Sequence, residues 1–270
     1  MQSHPDKPRT YKTEGVVLRH SFSGEADRVL AIFTIDYGTI HVVGRGLRRA
    51  KSRLTGHLEP LSHVAIQLMR GKGIDIVTGA DTLHGHTSLR NSLEGIARGL
   101  VCCEMVEAFA PEEHPNPELY KLLLDTLARL NDGEGDRLLW HFAFHVLRVT
   151  GYMPELQQCV VCSNAVQPEE HMFSPGLGGV VCLNCARDGD PGGLNGQAGA
   201  PPLALSLNAL KVMRYFRDNP YEAVQSLNVD GELAGELQHV LGGYIYYLLE
   251  REVRSSTFLA GLSRLLPTNT

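Results

Sequence analysis

Four cysteines carry the clearest chemical signal in the sequence. They form two Cys-x-x-Cys pairs, Cys159 with Cys162 and Cys182 with Cys185, and 19 residues separate the pairs. Zn²⁺ prefers four tetrahedral ligands and binds thiolates well, and a gap of two residues lets both sulfurs of one turn reach the same ion. Two such pairs about 15–20 residues apart are typical of a zinc module. Because four protein thiolates leave no open position for water, the pattern predicts one structural Zn²⁺ ion.

The segment around these cysteines also favours a metal over other uses of a thiol. A redox Cys-x-x-Cys motif is disfavoured, because the motif is doubled and no βαβ pattern surrounds it. The intervening stretch contains the glycine-rich sequence SPGLGG (174–179) and little apolar material of its own. Since metal binding to such a segment supplies folding free energy, we expect a Cys→Ser change at any of the four positions to loosen it.

A basic segment is the second candidate site. Arg45, Arg48, Arg49, Lys51 and Arg53 fall within nine residues that contain no acidic side chain. Further cations lie on or beside neighbouring predicted strands, namely Arg19, Arg28, Arg70 and Lys72. The first 80 residues hold 12 Lys or Arg against 7 Asp or Glu, whereas the remaining 190 hold 13 against 23. This segregation of charge favours a polyanion-binding module in the N-terminal part of the chain.

The elements that position the basic segment are predicted to be short strands. The segments rich in β-branched and aromatic residues are 14–20, 28–35, 39–45, 63–69 and 74–78. Five strands at this spacing predict a small barrel, and such barrels commonly bind single-stranded nucleic acid across one face and its loops. The basic segment lies between the third and fourth strands and contains no aromatic residue, so we expect phosphate contacts to dominate. The side chains considered for stacking on a base are Phe22, Phe33, Tyr37 and His41.

From about residue 88 the apolar residues recur with the period of amphipathic helices. The helical stripes lie within 93–101, 119–130, 138–149, 206–217 and 233–248. The stretch DGDPGGLNGQAGAPP (188–202) is too rich in glycine and proline for regular structure and is predicted to be a loop. The sequence contains no run of about 18 apolar residues and no secretory signal, which indicates a cytoplasmic protein without a membrane span.

Other candidate residues favour ordinary packing, and nothing predicts an enzyme. His141 and His145 have helical i, i+4 spacing, but Phe142 stands where a zinc protease needs glutamate, so we expect packing histidines. Cys102 and Cys103 lie in a predicted helix and are expected in the core. The sequence contains neither a phosphate loop nor a Gly-x-Ser-x-Gly nucleophile motif, so we expect no nucleoside triphosphate site and no catalytic centre.

Several short motifs in the first 61 residues resemble those of a known family. The motifs are SGEADRV (23–29), FT (33–34), YG (37–38), GRGLRR (44–49), KS (51–52) and LEPL (58–61). Their order and spacing resemble the N-terminal domain of the recombination mediator RecO family, and the resemblance extends over most of the chain. It implies an α+β multidomain fold in which an N-terminal OB-fold β-barrel precedes an α-helical domain with an inserted four-cysteine zinc module. The expected limits are 1–82 for the barrel, 83–154 and 206–270 for the helical domain, 155–187 for the zinc module and 188–205 for the loop.

The resemblance also implies a function. Proteins of the RecO family bind single- and double-stranded DNA, anneal complementary strands, including strands coated by single-stranded-DNA-binding protein, and with RecR promote RecA loading in recombinational DNA repair. A nucleoid-associated location in the cytoplasm follows. Two alternatives stay open at this point. A zinc-ribbon protein that binds RNA or the transcription machinery would share the zinc and basic features, whereas a zinc-dependent hydrolase or nuclease would need an open metal position that the sequence does not offer.

Overall fold

The computed structural model describes residues 8–23, 25–49, 52–187, 200–229 and 231–256. The described residues form two compact units, unit 1 up to Gly135 and unit 2 from Asp136 onward. The boundary after Gly135 falls inside the segment 83–154 that the sequence assigns to the first part of a helical domain. Lys51 and most of the predicted loop lie outside the described residues.

A closed barrel of five strands forms the first part of unit 1. The strands are β1 (Thr10–Ser23), β2 (Asp27–Thr34), β3 (Gly38–Gly44), β4 (His63–Met69) and β5 (Asp75–His84). Their order around the barrel is β1-β2-β3-β5-β4, and every pair is antiparallel except β3 with β5. This is the five-stranded Greek-key barrel of the OB fold, and it confirms the expected fold class.

Alternating side chains of the strands fill the barrel, because successive residues of a strand point to opposite faces. The fully buried members of this core include Val17, Leu30, Ile32 and Val42. A bulge in β1 shifts the register between Val17 and Arg19, so that Arg19 pairs with Ala31. The bulge therefore sets which side chains of the second half of β1 point outward.

Three helices complete the described part of unit 1. They are α1 (Thr87–Arg90), α2 (Leu93–Phe109) and α3 (Pro117–Asn131). Helix α2 begins where the Ser92 side chain accepts the Gly95 N–H, and α3 begins where Asn116 accepts the Leu119 N–H. Both residue types are favoured N-caps, since their oxygens satisfy otherwise unpaired N–H groups. Helix α2 packs against α3 and against strands β1 and β2.

Unit 2 combines helices with a small sheet. It contains α4 (Asp136–Val149), β6 (His171–Ser174), β7 (Gly179–Val181), α5 (Leu183–Arg187), β8 (Leu203–Leu205), α6 (Leu207–Asp218), α7 (Tyr221–Val224) and α8 (Gly231–Leu249). The strand order in the sheet is β7-β6-β8. Among the residues that the structure describes, no helix has both the length and the apolar character needed to cross a bilayer.

A histidine cluster lies where the barrel leads into α1. The rings of His63 and His84 are stacked with centroids 5.7 Å apart, and the centroid of His86 is 6.4 Å from that of His84. Burial, together with the neighbouring His84, His63 and Arg90, lowers the pKa of His86 to about 4, although Asp132 acts in the opposite direction. His86 also has a φ of 46°, in the left-handed region.

Acidification should therefore destabilise unit 1 through His86. Its pKa falls from an ordinary 6.5 to about 4 on folding, so between these values the unfolded chain binds more protons and stability declines as the pH falls. Asparagine tolerates the left-handed region, so His86→Asn removes the titration with little strain. We expect the urea midpoint to fall more steeply between pH 7 and pH 5 in wild type than in His86→Asn. His114→Asn, at an exposed histidine of the same unit, should follow wild type, and equal slopes in all three proteins would contradict the assignment.

Candidate nucleic-acid interface and metal centre

The GRGLRR motif folds into an anchored turn at the end of β3. Gly44 must lack a side chain, because a Cβ there would collide with the Leu47 side chain. Gly46 has a φ of +65°, a conformation that favours glycine. Leu47 is only 1% exposed and joins the barrel core. Three of the six residues are thus required by the backbone or the core, and the three arginines are left on the outside.

Further hydrogen bonds fix this turn against the connection between β1 and β2. The Asp27 carboxylate accepts the Gly46 N–H at 2.8 Å, and the Ala26 carbonyl accepts the Arg48 N–H at 3.1 Å. The Thr55 hydroxyl donates to the Leu47 carbonyl. The arginine side chains of the turn therefore extend from an ordered backbone, which reduces the entropy lost when they bind a ligand.

The cations of this connection are exposed. Those that the structure describes are Arg45, Arg48, Arg49 and Arg53. The Arg48 guanidinium carbon lies 4.9 Å from the centroid of the Phe22 ring. We name these four residues the β3–β4 basic loop. Lys51, which the sequence places in the same cluster, lies outside the described residues.

Arg70 and Lys72 lie in the turn between β4 and β5, and both are exposed. The Arg70 guanidinium carbon is 4.7 Å from the centroid of the Tyr11 ring. The parallel pairing of Val42 with Asp75 brings the start of β5 beside the last residues of β3. The Tyr11 ring, which Arg70 contacts, lies 5.0 Å from the ring of Tyr37, just before β3 begins. The β4–β5 turn is therefore nearer to the start of β3 than to the end from which the β3–β4 basic loop departs.

Arg19 and Arg28 differ from the other predicted cations, because carboxylates of unit 1 already bind them. The Arg19 Nε atom lies 2.7 and 2.8 Å from the two carboxylate oxygens of Glu107 on α2, and this hydrogen bonding raises the pKa of Arg19. Arg28 donates to Glu59 at 3.0 Å, and only 18% of its side chain is exposed. Both residues stabilise the unit, and a phosphate would have to displace their partners.

The outer face of β2 and β3, which OB barrels use to bind single strands, is partly covered within unit 1. Phe33 is fully buried and its ring centroid lies 5.9 Å from that of Tyr120 on α3. Thr39 forms a bridge with Glu112, and the His41 Nε2 atom lies 3.1 Å from a Glu112 carboxylate oxygen. These contacts leave the loops, rather than the middle of the strand face, accessible to a ligand.

The cysteine pairs meet in unit 2, as the sequence predicts. Cys159 and Cys162 lie on the turn before Ser163, Cys182 follows β7, and Cys185 is in α5. The four Sγ atoms all lie within 4.8 Å of one another, and those of Cys162 and Cys182 are 3.9 Å apart. A tetrahedron with Zn–S bonds of about 2.3 Å has S···S edges of about 3.8 Å, so the arrangement fits a four-thiolate metal site.

Electrostatics at this cluster also fit a cation. Burial alone would raise the pKa of Cys159, but hydrogen bonds from the backbone of Cys162, Cys182 and Val161 lower it to about 6. In contrast, burial and the adjacent sulfurs raise the pKa of Cys185 to about 12. The protein thus stabilises the Cys159 thiolate by itself, and four adjacent thiolates require a divalent cation to balance their charge.

The four-cysteine module packs on the helices of its own unit. Arg214 of α6 donates through its guanidinium to the Leu156 carbonyl, at 2.6 and 2.9 Å. The Tyr244 hydroxyl of α8 donates to the Tyr152 carbonyl, and the Tyr244 ring centroid lies 5.4 Å from that of Phe173. The module is thereby held in place on two helices.

The remaining sequence candidates pack in the interior. His141 and His145 are 7% and 8% exposed, with ring centroids 4.1 Å apart, in agreement with the expectation of packing histidines. Cys102 and Cys103 are also buried, and burial raises the pKa of both thiols.

Taken together, the fold and the sites define a two-unit α+β protein with an OB-type barrel and a four-cysteine module. Comparison with known proteins identifies the family. The family model described as "Recombination protein O N terminal" matches residues 9–86, and "Recombination protein O C terminal" matches residues 90–257.

Relatives are similar along almost the whole chain. A protein named "DNA repair protein RecO" from Dehalococcoides mccartyi (strain CBDB1) is 37% identical over 257 residues, which cover 95% of this chain and 97% of the relative. Proteins of the same name from Roseiflexus sp. (strain RS-1) and Thermoanaerobacter sp. (strain X514) are 34% and 27% identical, over 97% and 95% of this chain and 89% and 100% of each relative. The chain belongs to the RecO family and has a role in DNA repair and recombination.

Proposed function

We propose that the protein is a recombination mediator that binds single- and double-stranded DNA through the β3–β4 basic loop, with help from the β4–β5 turn. The observation that supports this proposal is the set of exposed arginines held on an ordered turn, Arg45, Arg48 and Arg49. Their guanidinium groups can pair with phosphates of either strand type, because phosphate contacts carry no sequence information. A site of action in the cytoplasm, at the nucleoid, follows from this proposal.

Strand annealing follows from the same arrangement. Two anionic strands must approach each other with their charge screened, while their bases remain free to pair. Cations on a loop, without polar groups aimed at base edges, provide that screening and hold each strand reversibly. RecR, RecA and single-stranded-DNA-binding protein are the partners that family membership suggests for the later steps.

The ion of the four-cysteine site is proposed to be a structural Zn²⁺. Cys159, Cys162, Cys182 and Cys185 would supply all four ligands. Zinc accepts a tetrahedron of thiolates without a redox change, and it would join the two cysteine pairs, which lie around a small apolar cluster. The closed ligand set leaves no coordination position for substrate, so we propose a non-catalytic role for the protein.

DNA affinity should fall steeply with salt. If about five phosphates are neutralised, the slope of log K against log salt for single strands is about −3.5. Raising the salt concentration from about 50 to about 200 mM should then weaken binding roughly 100-fold. Fluorescence anisotropy with a labelled oligonucleotide measures this directly, and a flat salt response would contradict phosphate contact.

The mediator role is tested by annealing two complementary oligonucleotides, with and without single-stranded-DNA-binding protein, at both salt concentrations. We expect the protein to accelerate annealing of bare and coated strands, and to do so less at the higher salt concentration. Incubation of labelled DNA with Zn²⁺ or Mg²⁺ should leave the strands uncut. Cleavage would favour a nuclease, whereas tighter binding to RNA than to DNA would favour a zinc-ribbon protein of RNA metabolism.

A further inference from the structure

Phe22 is exposed to an unusual degree for a large apolar residue. Its exposed fraction is 73%, the highest among the large hydrophobic residues that the structure describes. It lies near the end of β1 and pairs with Arg28 on β2. A single exposed apolar residue is common on protein surfaces, so the case for a ligand depends on the groups that lie beside Phe22.

Arg48 of the β3–β4 basic loop packs over the Phe22 ring, with its guanidinium carbon 4.9 Å from the ring centroid. The loop that carries Arg48 is itself fixed to the β1–β2 connection through the Ala26 carbonyl. The guanidinium covers one face of the ring, and the 73% exposure of Phe22 leaves the rest of the ring as a flat surface on which a nucleobase can stack.

We propose that Phe22, flanked by Arg48, is a stacking platform for an unpaired base of single-stranded DNA. The inference rests on the proposed DNA-binding function. It adds recognition of a base, whereas the cations contact the phosphates. In a duplex the faces of each base are occupied by its neighbours, so a side chain on the protein surface reaches only an unpaired or flipped base. The platform thus gives the site its preference for single strands, while the arginines bind phosphates of both forms.

A single platform also suits annealing. Of the other aromatic residues considered from the sequence, Phe33 is buried, and Tyr37 and His41 are half-buried. A strand held by one stacked base, with cations around its backbone, keeps its remaining bases free to pair. Pairing can then remove the strand from the protein one base at a time.

The decisive variant is Phe22→Leu, which keeps an apolar side chain but removes the aromatic face. Its affinity is measured by anisotropy with three ligands of equal length: a single strand, the same strand with abasic sites, and a duplex. Wild type should bind the normal strand about 10-fold more tightly than the abasic one, in line with the value of one stacked base. Phe22→Leu should lose that difference and keep wild-type affinity for the duplex and the abasic strand. Leu93→Ala, at a second exposed apolar residue of unit 1, should match wild type with all three ligands.

Each other outcome has a distinct meaning. Equal binding of normal and abasic strands by wild type would overturn the platform but leave phosphate binding intact. An equal loss with all three ligands in Phe22→Leu would show that Phe22 only positions Arg48, and would also overturn it. Failure of wild type to bind any DNA would instead remove the proposed function.

A fluorescent variant supplies an independent readout. The natural chain has one tryptophan, Trp140, which lies in unit 2. Phe22→Trp should retain wild-type affinity, and its added emission should be quenched by a single strand but not by the abasic strand or the duplex. Wild-type emission from Trp140 should change with none of them. Quenching of equal size by abasic DNA would contradict stacking.

Discussion

Simultaneous replacement of Arg45, Arg48 and Arg49 by glutamate should abolish binding of both single- and double-stranded DNA. The three side chains are exposed on one turn, so the change replaces three phosphate contacts by three repulsive charges at the same place. We expect a loss of at least about 100-fold in affinity at about 50 mM salt, and a loss of annealing. Filter binding or anisotropy measures the first, and a fluorescence-based pairing assay the second.

The fold should persist in this variant, because the turn is held by other groups. Leu47 is buried in the barrel, and the hydrogen bond from Gly46 to Asp27 involves the backbone N–H of Gly46 and not a substituted side chain. Circular dichroism and the urea midpoint should therefore stay close to those of wild type. Exposed substitutions of this kind usually change stability by about 0.5 kcal/mol or less each.

A matched control separates a local site from a general effect of charge. The variant Lys121→Glu, Arg148→Glu and Lys211→Glu alters the net charge by the same amount at three exposed helical positions. We expect it to bind DNA nearly as well as wild type. Unchanged affinity in the loop variant, or equal losses in the two variants, would show that the β3–β4 basic loop is not the DNA site.

The sequence identified the basic residues of this loop. It did not distinguish them from the arginines that form ion pairs within unit 1. Arg19 and Arg28 look the same as Arg45 in a one-dimensional pattern, because each is a cation on or beside a strand. Their acidic partners, Glu107 and Glu59, are 88 and 31 residues away along the chain. Only the folded chain brings these charges together, so local patterns in the sequence do not reveal these ion pairs.

The barrel was predictable because its strands are encoded locally. β-Branched residues and turn signals predicted five strands, and each overlaps an observed one, with β1 and β5 longer than expected. The bulge after Val17 has no such local signal, since it depends on how β1 meets β2. The exposure of Phe22 follows from that register and from the loop beside it. This is why the sequence left four aromatic residues equally open for stacking.

The inclusion of α2 and α3 in the same unit as the barrel was equally hidden from the sequence. Amphipathic periodicity predicts that a helix has a buried face, but it does not say what covers that face. Here Tyr120 of α3 lies beside Phe33 of β2, and Glu107 of α2 binds Arg19 of β1. These contacts determine which part of the barrel is open, and so they redirect the expected DNA contacts from the strand face to the loops.

Among the substitutions proposed for this protein, replacement of any one of the four cysteines should lower stability the most. We expect Cys162→Ser, Cys182→Ser and the other two single serine variants to lose bound Zn²⁺ and to show fast amide hydrogen exchange across residues 155–187. The cysteine pairs themselves surround only a small apolar cluster built on Cys159 and Val181, so we expect the ion to provide much of what holds the two pairs together. Zinc binding contributes about 10–16 kcal/mol to the folding free energy of zinc-finger peptides, and a site that lacks one ligand loses much of this contribution.

Cys103→Ala is the matched control, because it removes a buried thiol that belongs to unit 1 and lies outside the cluster. It should retain one equivalent of zinc, measured by release to a chelating dye after thiol modification. Full metal content and an unchanged melting temperature in all four serine variants would show that the cysteines hold no structural ion.

DNA affinity in the serine variants then distinguishes the two binding proposals. If the β3–β4 basic loop carries the DNA site, loss of zinc from unit 2 should leave the affinity of unit 1 close to that of wild type, because the loop is anchored by Leu47 and Asp27 of its own unit. A zinc ribbon that contacted nucleic acid directly would lose affinity together with its metal. The expected result, a destabilised module beside intact DNA binding, would assign the zinc to structure and the arginines to function.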